Sequence, residues 1–200
     1  MSPKLREFLF LLILIPFFGV LGVIYYQNYV ATHKLSSLFY LMFEATTILF
    51  LLMRKMPQQV SGSFEDWLYA VSGTLSSLLF RPLENPHESN VLVVLQLVGM
   101  CVSYAGLLSL NKSLGIVPAN RGIKQGGIYK FVRHPLYAGY IITYLAFCLQ
   151  NQSFYNALIL VIFVGLTISR IKREERFLLP CAGYAAYTQK VKWRILPLLW

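Results

Sequence analysis

The sequence predicts an all-α integral membrane protein, a polytopic helical bundle of about six spans. Three observations predict it. Hydrophobic residues make up 56 % of the 200 residues, and mean hydropathy is +0.57. Charged residues are only 13 %, against roughly 25 % in soluble domains. Apolar runs recur along the chain at near-spanning length, which is about 17 to 25 residues for a hydrocarbon core about 30 Å thick. No composition shift or Ser/Gly/Pro-rich stretch divides the chain, so residues 1–200 read as one membrane domain, with N-terminal transmembrane helices over 1–110 and two long polar stretches in 111–200.

The first span is expected from about Glu7 to Tyr26. A basic start at Lys4 and Arg6 before an apolar run resembles a secretory signal, but Phe8 to Tyr26 exceeds an h-region of about 7 to 15 residues and no A-x-A-like site follows. The second runs from about Ser37 to Met53. It contains Glu44, an intramembrane carboxylate that costs roughly 2.5 to 3.5 kcal/mol on insertion scales and so asks for a partner or a function. The third, Trp67 to Phe80, is short and rich in Ser and Gly. The fourth covers Asn90 to Leu110. The fifth, Leu136 to Leu149, begins right after a proline, and the sixth runs from Ser153 to Ser169. The link Gln150 to Ser153 is so short that the last two spans are expected to form an antiparallel helical hairpin.

A net charge of +10 would suit nucleic acid in a soluble protein. In a membrane chain basic residues report topology instead, because they stay on the cytoplasmic side. With six spans and an inside N-terminus, sixteen of the eighteen Lys and Arg fall inside, and only Lys34 and Arg81 fall outside. The expected location is therefore an integral membrane, the compact size suggesting a bacterial inner membrane, with both open ends of the last hairpin at the cytoplasm. There they meet the polar stretches Asn111 to Arg133 and Arg170 to Trp200, where function is expected. Cys101, Cys148 and Cys181 have no metal-ligand spacing and read as core thiols. Neither a metal nor a nucleic acid is expected as a partner.

Three constellations lie in those stretches. In Gly126-Gly127-Ile128-Tyr129-Lys130-Phe131-Val132-Arg133-His134-Pro135-Leu136-Tyr137-Ala138-Gly139, the paired glycines permit positive φ or close approach to a ligand. Pro135 suits a first helical turn, which puts His134 at the N-cap of a helix whose free N–H groups can grip an anion. In Arg170-Ile171-Lys172-Arg173-Glu174-Glu175, Arg170 and Glu174 share one helical face if the helix continues. The third is Gly183-Tyr184-Ala185-Ala186-Tyr187 followed by Val191-Lys192-Trp193-Arg194-Ile195-Leu196-Pro197, which by itself reads as an aromatic interfacial segment.

Taken in order, Gly-x-Tyr-x-x-x-Arg-His-Pro-x-Tyr-x-Gly, Arg-x-x-x-Glu-Glu-x-x-x-Leu and Tyr-x-x-Tyr-x-x-x-Val-x-x-Arg-x-x-Pro resemble the isoprenylcysteine carboxyl methyltransferases and their bacterial relatives, which include phospholipid methyltransferases. The resemblance covers about Ser113 to Pro197. It implies an S-adenosylmethionine-dependent methyltransferase whose catalytic half is 111–200, acting on a lipid-like or lipidated acceptor that arrives through the bilayer. It further implies that Tyr129, His134, Pro135, Leu136 and Tyr137 line the cofactor pocket. By the same resemblance Arg121, Gly122, Ile123 and Lys124 form a loop touching the cofactor through its backbone, Glu174 binds the cofactor, and Arg170 meets the substrate. Two departures stand out: Ala182-Gly183 where such proteins often have Phe-Gly-Glu, and the short, Pro-containing stretch Leu178 to Cys181.

The residue chemistry agrees with methyl transfer. A sulfonium donor already carries a good leaving group, so positioning is the main requirement, and positioning can supply about 7 to 11 kcal/mol. An arginine can orient a carboxylate through a two-pronged hydrogen bond. A protonated lipid amine beside Arg170 would be unfavourable and would need a base, which favours a carboxylate acceptor over a phospholipid amine. Membrane sterol reductases also use an Arg-His-Pro-x-Tyr element with a nicotinamide cofactor, but they are usually larger and no G-x-G-x-x-G fingerprint is present here. A non-enzymatic scaffold or transporter whose basic collar binds anionic membrane lipids is the remaining alternative.

Overall fold

The computed structural model describes residues 3–33, 35–87, 89–197 and 200; Lys34, one of the two outside charges of the topology count, lies outside them. The protein is helical almost throughout, with α1 (Pro3–Thr32), α2 (Leu35–Leu52), α3 (Phe64–Leu75), α4 (Asn90–Leu110), α5 (Pro135–Gln150), α6 (Phe154–Leu178) and α7 (Tyr184–Lys190). The all-α membrane fold expected from composition is what the chain forms. Among the described residues, three stretches are long and apolar enough to cross a membrane, Leu11–Thr32, Asn90–Ser113 and Phe154–Leu178, while Ser36–Leu52 and Pro135–Gln150 are apolar but shorter. Large apolar side chains such as Ile13, Val91 and Val161 are exposed, which is how a helix presents itself to lipid.

The backbone forms two compact units. The first comprises the chain up to Met56 with Leu110–Leu114. It is a helical hairpin of α1 and α2, in which Tyr25 stacks on Tyr40 with ring centroids 4.9 Å apart and Leu51 is fully buried.

The second unit comprises Pro57–Ser109 and Gly115–Trp200. Here α4 and α5 pack backbone to backbone because small residues face each other. A Cβ on Gly99 would lie 2.6 Å from the Thr143 nitrogen, one on Gly106 would lie 2.9 Å from the Leu136 nitrogen, and one on Gly139 would run into Ser103. Such small-residue contacts replace the missing hydrophobic drive between helices in lipid. The predicted hairpin of the last two spans is present: Ser153 caps α6 by accepting from the Asn156 N–H at 3.1 Å.

The short third segment consists of α3 and a 3-10 turn, Ser76–Leu79, and it runs antiparallel along α6. At one end Arg173 bonds Asp66 at 3.0 Å. Farther on, Arg170 reaches Thr74 and Phe80 meets the Phe163 ring edge-on. At the other end the Arg81 N–H donates to Asn156 Oδ1 at 3.1 Å. From Asn156 to Arg173 the α6 axis rises about 26 Å at 1.5 Å per residue. The segment therefore follows α6 over most of a bilayer's hydrocarbon thickness although its α-helical part has only 12 residues.

Four expectations change. Helix α6 continues to Leu178, well past the predicted end at Ser169, because its charged turns are good helix formers and Ile171 and Glu175 bury one face. The segment after Gly183 forms a real helix, α7, where only an interfacial stretch was foreseen. A two-residue antiparallel pair, β1 (Gln59–Val60) with β2 (Ala119–Asn120), ties the start of this unit to the loop before Arg121; no alternating pattern that short is readable. Cys101 is exposed rather than a core thiol, whereas Cys148 and Cys181 are half-buried.

Candidate functional site

The site is built on the N-terminus of α5. Gly127 takes φ +59° in the turn leading to it, and a Cβ there would collide with the Ser109 side chain, so one of the paired glycines is required by its conformation. His134 is the N-cap and Pro135 opens the helix, but the imidazole does not cap it. The backbone of the C-terminal segment lies alongside instead: the Arg133 and His134 N–H groups donate to Trp193 O at 2.9 Å and Arg194 O at 2.7 Å.

Glu175 is the electrostatic centre. Arg133 Nε donates to its Oε1 at 2.7 Å and Arg194 Nε to its Oε2 at 2.7 Å. His134 Nε2 lies 3.2 Å from Oε1. Arg133 also donates through Nη1 to Val191 O at 2.7 Å and Lys192 O at 3.0 Å. One buried carboxylate, surrounded by charge-assisted bonds, thus joins α5, α6 and the C-terminal segment. The guanidinium of Arg194 sits 4.8 Å from the Trp200 ring, and Trp200 O accepts from the Arg194 and Ile195 N–H groups.

Next to this cluster, Tyr137 O–H donates to Glu174 Oε2 at 3.0 Å. The Tyr137 ring stacks against His134, centroids 5.7 Å apart, and carries the Arg170 guanidinium on its face at 5.2 Å. Arg170 does not pair with Glu174 one turn away. Its Nη2 donates to Ile116 O at 2.8 Å and its Nη1 to Thr74 Oγ1 at 3.3 Å, while its Nε is buried with no hydrogen-bond partner among the described residues.

The loop Arg121 to Lys124 follows β2. The Gly122 N–H donates to Asn120 Oδ1 at 3.0 Å, a side-chain turn that holds Gly122 at φ +92° and leaves it exposed. Arg121 is buried, Ile123 packs against Tyr184, Tyr187 and Val191, and Lys124 is half-buried. Tyr187 O–H donates to Tyr129 O at 2.8 Å. Burial pushes the Tyr187 phenol up to about 12 and raises those of Tyr129 and Tyr184 as well. All three are therefore neutral at physiological pH, and Tyr187 acts as a plain O–H donor.

His134, Tyr137, Glu174 and Arg170 thus meet in one patch. Tyr129 and the Arg121 to Lys124 loop connect through the α7 tyrosines. Pro135 is fully buried; half-buried Leu136 faces α4, its carbonyl 3.5 Å from Ser103 Oγ. Residue-by-residue reasoning gave no role to Arg133, Glu175 and Arg194. Their signal was present as buried-type charges in an apolar chain, inside the quoted motifs. Thr74 and the Ile116 carbonyl gave no signal, because Arg170 reaches them across 96 and 54 residues of sequence.

No curated protein matches the chain. The family model described as isoprenylcysteine carboxyl methyltransferase (ICMT) family matches residues 90–180, the stretch holding α4, α5, α6 and the first two constellations. Over residues 90–180, somewhat less than half of its length, the chain is thus similar to the isoprenylcysteine carboxyl methyltransferase family.

Proposed function

We propose that the protein transfers a methyl group from S-adenosylmethionine to a carboxylate on a lipid-like or lipidated acceptor. When bound, S-adenosylmethionine supplies a methyl group on a sulfonium, whose sulfur leaves as a neutral thioether. The residues fit such a group. Glu174 is half-buried and engages one donor among the described residues, Tyr137, which leaves acceptor capacity on its carboxylate for hydroxyl or ammonium groups. Gly122, exposed at positive φ, offers backbone without a side chain in the way. In this reading Arg121, Gly122, Ile123, Lys124, Tyr129, His134, Pro135, Leu136, Tyr137 and Glu174 form the cofactor side.

The observation that carries the proposal is Arg170. Its guanidinium is fixed by Tyr137, Thr74 and Ile116, yet its Nε remains unpartnered one helical turn from Glu174. A fixed cation with an unused donor favours an anionic oxygen. A carboxylate so oriented needs no general base, since its oxygen forms the new bond to carbon as the carbon–sulfur bond breaks. A phospholipid amine would meet Arg170 as a like charge until it lost a proton.

We place the site at the cytoplasmic face of a bacterial inner membrane with six crossings. The basic asymmetry of the sequence supports this, as does the way Phe64 to Arg81 follows α6 for about 26 Å. Incubating membranes that contain the protein with methyl-labelled cofactor, then analysing lipid and protein fractions by mass, tests the reaction. Base-labile methyl esters are expected. Labelled lipid amines would favour the phospholipid alternative, and absence of cofactor-dependent label would leave a reductase or a non-enzymatic scaffold.

A further inference from the structure

Glu44 takes no part in the site above. It is the only acidic residue between Glu7 and Glu65 in the sequence, and it lies on α2 in the hairpin unit. Glu44 is 7 % exposed, and its Oε2 has no hydrogen-bond partner among the described residues. Thr47, one turn on, is equally buried and its hydroxyl is also unpartnered.

Glu44 lines a groove of about 300 Å³ together with Gly19, Gly22, Tyr26, Leu41 and Ala45. The groove exists because small residues stand where side chains would fill it. A Cβ on Gly19 would meet nothing within 4 Å, and one on Gly22 only Leu41 Cδ1 at 3.9 Å. Tyr26 borders the space and Tyr25 lies within electrostatic reach of the carboxyl. A volume of that size is at the lower end for small-molecule sites, roughly 300 to 1,000 Å³. It is too small for a helix about 10 Å across. An unsatisfied carboxyl among hydrocarbon is stabilised by whatever brings it a positive charge, and phenol rings add cation–π attraction.

We propose that this groove binds a small lipophilic cation, with its single positive charge at Glu44 and its apolar body against Gly19, Gly22 and Leu41. The charge complementarity decides the class: a neutral apolar molecule would fill the groove but leave the carboxyl as it is. This site is independent of the methyl-transfer reading.

The test is equilibrium dialysis of labelled benzyltrimethylammonium, a small quaternary cation, against the full chain in lipid nanodiscs. One saturable site is expected, not displaced by excess neopentylbenzene, its neutral isostere. Glu44→Gln should weaken it tenfold or more, Gly19→Leu should do the same by occupying open space, and Glu44→Asp should retain measurable binding, all at unchanged melting temperature. Non-saturable uptake, equal affinity in Glu44→Gln and Gly19→Leu, or displacement by the neutral analogue overturns the proposal. So does a wild-type dimer that becomes monomeric in Glu44→Gln without any cation binding, which would assign the groove to a second copy.

Discussion

Arg133 Nε donates to Glu175 Oε1 at 2.7 Å, joining the start of α5 to the end of α6 with side chains only 6 % and 11 % exposed. Glu175 thus ties the fold together, whereas its neighbour Glu174 turns toward Tyr137. Removing one member of a buried ion pair costs about 3 to 5 kcal/mol, because the remaining charge is left uncompensated. Glu175→Ala is expected to lower the melting temperature strongly, at roughly 2 to 4 °C per kcal/mol for a chain this long. Glu174→Gln keeps an acceptor for Tyr137 and should cost within about 1 kcal/mol. Thermal unfolding in detergent compares them; equal losses would contradict the division of roles.

Cofactor affinity should follow the other carboxylate. Glu174→Gln and His134→Ala are each expected to weaken S-adenosylmethionine binding at least tenfold, about 1.4 kcal/mol. Tyr137→Phe, which removes only the hydroxyl holding Glu174, should weaken it less. Calorimetry on the purified protein reads all three, and unchanged affinity in Glu174→Gln would make the patch purely structural.

In the proposed reaction Arg170 meets the acceptor. Lysine keeps the charge but not the planar fork that reaches Ile116 O and leaves Nε free. Arg170→Lys and Arg170→Ala should both cut turnover tenfold or more, with cofactor affinity within about threefold of wild type. Near-normal turnover in Arg170→Lys would remove it from the chemistry.

The proposed six-crossing topology would put Gln152 outside and Lys190 inside. Single cysteines at these positions in intact cells should be labelled by an impermeant reagent at Gln152 and protected at Lys190. The reverse pattern would invert the chain.

The α7 tyrosines predict an alkaline limit. Tyr187, raised from an ordinary 10 to about 12 by burial, must stay protonated in the fold, and the unfolded chain gives up its proton first. Its contribution is present below about pH 10 and lost as pH rises through about 12. Tyr187→Phe should flatten the fall in melting temperature over that window, at the cost of its bond to Tyr129 O at neutral pH. An identical fall in the variant would exclude Tyr187 as a cause.

The sequence by itself determined what depends on local spacing and composition. Apolar run length set the membrane helices, Gln150 to Ser153 set the hairpin, Pro135 set the start of α5, and the motifs around His134 and Glu174 carried the family resemblance. Only the tertiary structure decided which of two adjacent glutamates binds Arg133 and Arg194. Both choices have the same local propensity, and neighbours in a helix point about 100° apart. The same holds for Arg170, whose partners Thr74 and Ile116 come from distant segments, and for the third segment. Its α-helical part has only 12 residues, and packing along α6, with Arg173 at one end and Asn156 at the other, is what makes the segment follow that helix. Local sequence fixes what a segment can become, whereas long-range pairing of charges and small residues selects the side chain that is used.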